Sequence, residues 1–576
     1  MSSPAPSSSP RVLVIGLDGA TFRLIKPLVE AGQLPILSRL MREGAAGVLR
    51  STIQPSSEQA WSSFMTGTNN GKHGVFGFQR RVSDSYQFSY VNARNVAGRS
   101  LWQRLSEAER DVIAINVPMT YPPEPVRGVL IGGLLSPGEQ SRFTYPDGIY
   151  AELVQHCGDY HIDVDIERGR MDEAQLLALA DDAVDMIHKR TCATLHLADT
   201  RPWDFLMVVY GASDRLAHKF WKYWDPGHPL HDPDQADTLG DVLPRIYREL
   251  DTAVGELIER LEDENTTLFI ISDHGFGPME KAVYLNRWLA QKGYLHFKAD
   301  GTVSPRQRAA GMMRAGLRRG VKWLDNPLVN QAKRQAFARL PGLKGTLYSS
   351  VAFGQVDWTR TQAYALGTMG NIYLNRQGRE PDGIVAGGEE AERLSTSLMA
   401  ELGRLLDPDT GEPVFHAIHR GADLYHGPNA DAAPDIVCVK DSRYHVVTAD
   451  WQGGDEIVVA LGDKMHFVSD QSGQHELDGI LIAWGRNILP GADPLDAQLV
   501  DLVPTILHTL DQPIPGELDG RVLISLFDPE WLRAHPLRYV DAEDQAPPPA
   551  SASASDDESE EEAIVRQRLA GLGYLD

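Results

Sequence analysis

The apolar run TTLFII stops abruptly in the stretch ISDHGFGP, where Asp273 and His274 stand side by side ahead of two glycines. Alone, this reads as a turn. It gains meaning because the chain repeats the pattern. The run RVLVIGL ends at Asp18 within VIGLDGAT. The run DFLMVVY leads into GASDRLAHKF, which places Asp214 and His218 one helical turn apart. His475 lies in SGQHELDGILIAWG, just ahead of another apolar run. Asp18 alone is an ordinary strand-end cap, the Asp214/His218 pair an ordinary helix-face hydrogen bond, and His475 alone says nothing. Together these six side chains offer enough oxygen and nitrogen donors for two divalent ions. Carboxylate oxygen with imidazole nitrogen suits Zn2+ first, with Mn2+ or iron behind it.

Two ions roughly 4 Å apart can clamp an in-line displacement at phosphorus. That chemistry also needs a nucleophile. In STIQPSSEQAWSSFMTGTNNGKHGVFGF a strand-like GVLRST leads to a Pro-Ser-Ser turn and then to a helix-forming segment. A serine at such a helix start faces backbone N–H groups that favour anions. Its hydroxyl is a weak nucleophile until a metal activates it. Ser57 is the candidate, with Ser56 adjacent. His73 in GKHG reads as a packing residue, and Lys72 as a solvated surface lysine.

These residues need a frame that gathers them. Continuous apolar runs (RVLVIGL, DVIAINV, GVLIGG, DFLMVVY, TTLFIIS, GILIAWG) alternate with amphipathic stretches such as FRLIKPLVEAG, LPILSRLMREG and VLPRIYRELDTAVGELIERLEDE. That pattern predicts an α/β fold: a doubly wound, mostly parallel sheet with helices on both faces. Strand C-termini then share one edge, where ligands bind. Residues 1–10 read as a disordered tail and 11–545 as the catalytic domain. The stretch at about 295–350 breaks the rhythm. Its 304–345 portion holds ten Lys and Arg against one Asp and reads as an inserted basic helical cap. Residues 546–562 read as a disordered acidic linker and 563–576 as a short C-terminal helix that docks back.

Composition excludes several classes. With 55 Lys and Arg against 79 Asp and Glu, the net charge of −24 disfavours nucleic-acid binding over the whole surface. Three widely separated cysteines give no disulfide framework and no CxxC zinc site. The opening stretch MSSPAPSSSPRVLVIGLDGAT has no basic segment before its short apolar run, and no window of eighteen apolar residues occurs. No signal peptide, no transmembrane segment and a cytoplasmic location are therefore expected.

The segments VIGLDGAT, AWSSFMTGTNNGKHGVF, ISDHGFGP and GQHELDGILIAWG resemble the alkaline phosphatase superfamily, and within it the type I phosphodiesterase/nucleotide pyrophosphatase family. ALGTMGNIYLNRQGRE and DLVPTILHTLDQPIPGELDGRVL extend the resemblance to roughly residues 11–530, with the motifs in the family's order. It implies an alkaline-phosphatase-like fold and two divalent metals. Asp18, Asp273 and His274 match the ligands of the metal that holds the nucleophile. Asp214, His218 and His475 match those of the second. The family's nucleophile lies nine residues before a Thr-Gly pair, here Thr66-Gly67, which implies Ser57 as catalytic residue and metal ligand. Two departures stand out. Glu58 and Gln59 replace a small, proline-containing step. Ala60 stands where nucleotide pyrophosphatases carry a phosphoryl-binding asparagine. A carboxylate at 58 repels an anionic substrate unless it points away or pairs with a cation.

The expected function is a metal-dependent phosphodiesterase or phosphohydrolase. Its substrate would be a small phosphate ester or a phosphorylated glycan or lipid head group. The alternatives are a phosphoryl transferase, mutase or phosphonate hydrolase of the same superfamily, or a catalytically silent module that binds an anion. A sulfatase is disfavoured, because Ser57-Glu58-Gln59-Ala60-Trp61 lacks the Cys/Ser-x-Pro-x-Arg pattern of that nucleophile.

Overall fold

The computed structural model describes residues 9–82, 85–164, 166, 171–298, 353, 355–448, 454–462, 471–542, 556–572 and 574. The basic segment expected to form a cap lies outside them from residue 299 onward, as do residues 1–8 and 543–555.

The strands that frame the site are β1 (Arg11–Leu17), β2 (Ala45–Arg50), β3 (Val112–Val117), β4 (Gly128–Gly132), β5 (Thr144–Tyr145), β6 (Phe205–Tyr210) and β7 (Thr266–Ile271). They continue with β8 (Gly275–Pro278), β9 (Gly473–Glu476), β10 (Asp478–Trp484) and β11 (Ala497–Gln498). All but β8 and β9 form one nine-stranded sheet in the order β11-β2-β10-β7-β1-β6-β3-β4-β5. The middle is parallel, with β1 pairing in register between β7 and β6, and β3 running between β6 and β4. Only β10 and β5 run against it.

The sheet forms because its central strands are apolar on both faces, and both faces are covered. Leu13, Ile15 and Leu17 of β1 pack into one core; Val12 and Val14, with the opposite orientation, pack into the other. The first core takes in α1 (Phe22–Glu30) and α2 (Pro35–Glu43). The second takes in α3 (Ser57–Thr66), whose ten residues are all buried. Three longer helices also cover the first face: α4 (Glu173–Thr200), α5 (Ala212–Trp224) and α6 (Val242–Leu261). This is the doubly wound α/β arrangement that the alternation predicts.

A smaller antiparallel sheet follows β8, in the strand order Ala363–Leu366, Asn371–Leu374, Ile436–Val439, Ala417–Arg420. It has its own apolar core. This sheet touches the main body through Gln54, whose Nε2 donates to the Cys438 carbonyl at 3.0 Å. The C-terminal helix α7 spans Asp556–Gly571 and so includes the acidic run at 556–562 that the sequence assigns to a linker.

The cysteines correct another expectation. Cys157 and Cys192 form a disulfide between the helix Ile149–Cys157 and α4, while Cys438 is free and buried. Sequence spacing hides this pair because helix packing, not proximity along the chain, brings it together. Among the described residues, no helix is long and apolar enough to cross a membrane.

Candidate metal centre

Four segments bring the donors to one edge of the sheet. β1 ends at Leu17, so Asp18 is the first residue past it. β7 ends at Ile271, two residues before Asp273. β6 ends at Tyr210, and α5 begins two residues later, carrying Asp214 and His218 in its first two turns. His475 arrives differently. β10 is antiparallel to β7, so its beginning lies where β7 finishes, and β9 just ahead of it pairs with β8, placing His475 opposite Phe276. Ser57 opens α3 after the loop that leaves β2, with Ser56 as N-cap.

All seven residues are at most 3 % exposed. Around His274 Nε2 stand Ser57 Oγ at 3.3 Å, Asp273 Oδ2 at 3.4 Å, Asp214 Oδ1 at 3.8 Å and Asp18 Oδ1 at 3.9 Å. His475 Nε2 is 3.1 Å from both Asp214 Oδ1 and His218 Nε2, and His218 Nε2 is 3.6 Å from Asp214 Oδ1. The ligand atoms of Asp18, Asp273 and His274 lie within 4.8 Å of one another. So do those of Asp214, His274 and His475.

The outer contacts orient these donors. Each imidazole turns Nδ1 to a backbone carbonyl: His274 to Gly275 (3.0 Å), His218 to Gly473 (3.2 Å) and His475 to Pro55 (2.9 Å). A carbonyl only accepts, so Nδ1 carries the proton, and in the neutral rings all three Nε2 lone pairs face inward. Two such lone pairs 3.1 Å apart cannot bond to each other. The carboxylates are held in the same way at one oxygen each. Trp61 Nε1 donates to Asp18 Oδ2 (3.1 Å), and the Gly19 amide donates to Asp273 Oδ1 (3.1 Å). Asp214 Oδ2 receives Arg215 and the Tyr574 hydroxyl, the latter at 2.7 Å.

The other oxygen of each, Asp18 Oδ1, Asp214 Oδ1 and Asp273 Oδ2, is buried and accepts no hydrogen bond. Buried polar atoms without partners are rare and costly. Three of them converging on three inward nitrogen lone pairs fit bound cations, so the donor set passes a chemical test for divalent metal. The electrostatics agree. Burial, then neighbouring carboxylates, pushes Asp18 well above the usual carboxylate range, and burial raises Asp273. Burial also works to raise Asp214, but His218 and Arg215 outweigh it and hold it low. Burial and the adjacent His274 bring His475 down to about 3, so its ring is neutral.

Two residues of the segment that carries Ser57 differ from expectation, Glu58 and Lys72. Glu58 does not turn to solvent, and among the described residues it pairs with no cation. It is buried, accepts from Ser56 Oγ, and is pushed by burial up to about 7. Ala60 packs into the core behind Ser57. Lys72 is not free in solvent: its Nζ pairs with Asp519 at 2.6 Å and donates to the Glu517 carbonyl. His73 is a buried packing residue, with Nε2 2.9 Å from Ser63 Oγ. Sequence reasoning missed Trp61, Arg215, Asp163 and Tyr574. Arg215 bridges Asp214 and Asp163, with a 3.0 Å contact to the latter. A signal for Arg215 was present, since it directly follows a donor aspartate. Tyr574 gave none, as it lies 360 positions from Asp214.

The family model of type I phosphodiesterase / nucleotide pyrophosphatase matches residues 12–473. The chain belongs to that family. Type I phosphodiesterase/nucleotide pyrophosphatase members are phosphoester-hydrolysing enzymes, and the fold seen here is the alkaline-phosphatase-like one. Two solved structures share it: phosphonoacetate hydrolase from Sinorhizobium meliloti 1021 in complex with phosphonoformate, and the same protein with phosphonoacetate. The TM-scores are 0.51 and 0.50 and the identities 16% and 15%; each alignment covers 88% of this chain and 99% of the other. No curated protein matches this phosphodiesterase family member.

Proposed function

We propose that the chain is a two-metal phosphodiesterase with Ser57 as nucleophile. The observation that carries this is the convergence of three partnerless carboxylate oxygens and three inward imidazole nitrogens on a buried serine hydroxyl. Asp18, Asp273 and His274, with Ser57, would hold one divalent ion; Asp214, His218 and His475 would hold the other. Zn2+ suits this mixed oxygen and nitrogen set, and Mn2+ is the competing occupant. Bound there, the ions supply positive charge to the phosphoryl oxygens and lower the pKa of a coordinated hydroxyl.

The protein's own groups do the rest. α3 carries Ser57 in its first turn, where the positive end of the helix dipole favours an anion. Ser57 Oγ bonds to phosphorus as the ester oxygen leaves, and water then cleaves the phosphoseryl intermediate. Glu58 lines a cleft with Gln59, Phe76, Phe78 and Tyr373, and among the described residues that line it there is no Lys or Arg. An apolar or hydrogen-bonding leaving group suits such a cleft better than a second anion. A small phosphate ester is therefore the substrate class, with a lipid or glycan head group as the larger form.

The test compares bis-p-nitrophenyl phosphate, p-nitrophenyl phosphate and a phosphonate ester, with zinc or manganese added. Diester preference, together with a folded Ser57→Ala variant that still takes up metal through the remaining ligands yet loses on the order of 10³-fold or more in turnover, supports the reading. Monoester preference would move the assignment to a phosphatase or mutase, and phosphonate preference to a phosphonate hydrolase. Unchanged turnover in Ser57→Ala would remove the nucleophile.

A further inference from the structure

Tyr574, beyond the C-terminal helix, reaches the candidate metal centre. α7 lays Val565 and Leu569, and the turn just after it Leu572, into the core that also holds α3. Polar contacts pin the tail: the Tyr121 hydroxyl donates to Glu561 at 2.8 Å, Arg568 donates to the Ser136 carbonyl, and Gln471 Nε2 donates to the Leu572 carbonyl at 2.7 Å. Tyr574 arrives buried, stacked on Phe78 with ring centroids 4.8 Å apart. It stands edge-on to His218 at 5.5 Å and to His475 at 5.6 Å.

Its hydroxyl lies 2.7 Å from Asp214 Oδ2 and 3.3 Å from Arg215 Nη1. A guanidinium has only donors, so the phenol oxygen accepts from Arg215 and its single proton points at Asp214. Arg215 itself also donates to Asp214 Oδ2. That oxygen is fully engaged, while Oδ1 of the same carboxylate is buried without a hydrogen bond and faces the imidazoles.

We propose that Tyr574 is a positioning residue: it fixes Asp214 Oδ2 so that Oδ1 alone is presented to the ion shared with His218 and His475. The proposal rests on the two-metal reading above. Without the hydroxyl, Arg215, an adjacent residue on the same helix turn, is the one remaining donor to Asp214 Oδ2 among the described residues, and the carboxylate plane can rotate. The cation then has to order it. Loss of such an outer partner weakens metal binding about 10–100-fold. The carboxyl-terminal tail is thereby a structural part of the active site.

Tyr574→Phe keeps the ring and its stack on Phe78 and removes only the hydroxyl. Metal-stripped protein is titrated with zinc against a chromophoric chelator, and separately with cobalt(II) followed by its visible absorption. The wild type is expected to bind two ions. The variant is expected to keep one at wild-type affinity, to bind the other about 10–100-fold more weakly, and to show an altered cobalt spectrum. A chain ending at Leu572 should reproduce the same loss. Two ions bound by Tyr574→Phe with wild-type affinities and an unchanged spectrum would overturn the proposal. A wild type that binds fewer than two ions would overturn the two-metal reading first and the role of Tyr574 with it, a result distinct from failure of the tyrosine alone.

Discussion

Asp18, Asp214 and Asp273 each have one tethered oxygen and one bare oxygen. That division of labour between the two atoms of one carboxylate suits the cluster to cations better than to a closed hydrogen-bond network. The gathering of the six candidate donors and Ser57 at one sheet edge was legible in the sequence because Asp18, Asp214, His218 and Asp273-His274 end or follow apolar strands and His475 stands just ahead of one. Their tethers were not, since Trp61 and Tyr574 act across the fold. His73 supplies a prediction at this scale. Burial holds its ring at about 3 in the folded chain, against an ordinary value of 6.5. Between these values the unfolded chain takes up a proton that the folded chain refuses. Stability therefore falls as pH drops from 6.5 toward 3 and is indifferent to this group above 6.5. Denaturant unfolding at about pH 7 and about pH 5 should show His73→Gln losing roughly 2 kcal/mol less than the wild type over that interval. Equal losses would mean that His73 is not buried neutral.

Among the elements, the parallel strands and their helices followed from unbroken apolar runs. The orientation of β10 did not, since a run apolar on both faces looks the same in either direction. That antiparallel strand matters, because it returns His475 to the edge where the parallel strands end. β9, which carries His475, rests directly on α5. A Cβ on Gly473 would stand 2.4 Å from the Ala217 carbonyl oxygen and 2.7 Å from Phe276 Cε1, and the Gly473 carbonyl also holds His218 Nδ1. Gly473→Ala must push β9 off α5. It should cost about 1–3 kcal/mol in thermal or denaturant unfolding. It should also weaken metal uptake by separating His475 from His218. A variant as stable as the wild type would contradict the close approach.

At the scale of the molecule, segments far apart in sequence close one site, and this is where sequence reading had least purchase. The smaller sheet and the tail contribute through contacts that no local pattern announces. The Cys157–Cys192 disulfide belongs here too, closing a loop across 35 positions on the first face of the sheet. Reduction, or Cys192→Ser, should lower stability by about 3–4 kcal/mol, as the loop length implies. Equal melting of oxidised and reduced protein would show that the pair is dispensable. The proposed two-cation site beside Ser57 draws its donors from segments spread over most of the chain. The most direct measurement is the metal content of purified, folded protein after zinc or manganese loading, located by anomalous scattering in crystals. The account predicts two ions per chain, one among Asp18, Asp273, His274 and Ser57 and one among Asp214, His218 and His475. A folded protein that takes up no ion at these residues would contradict it.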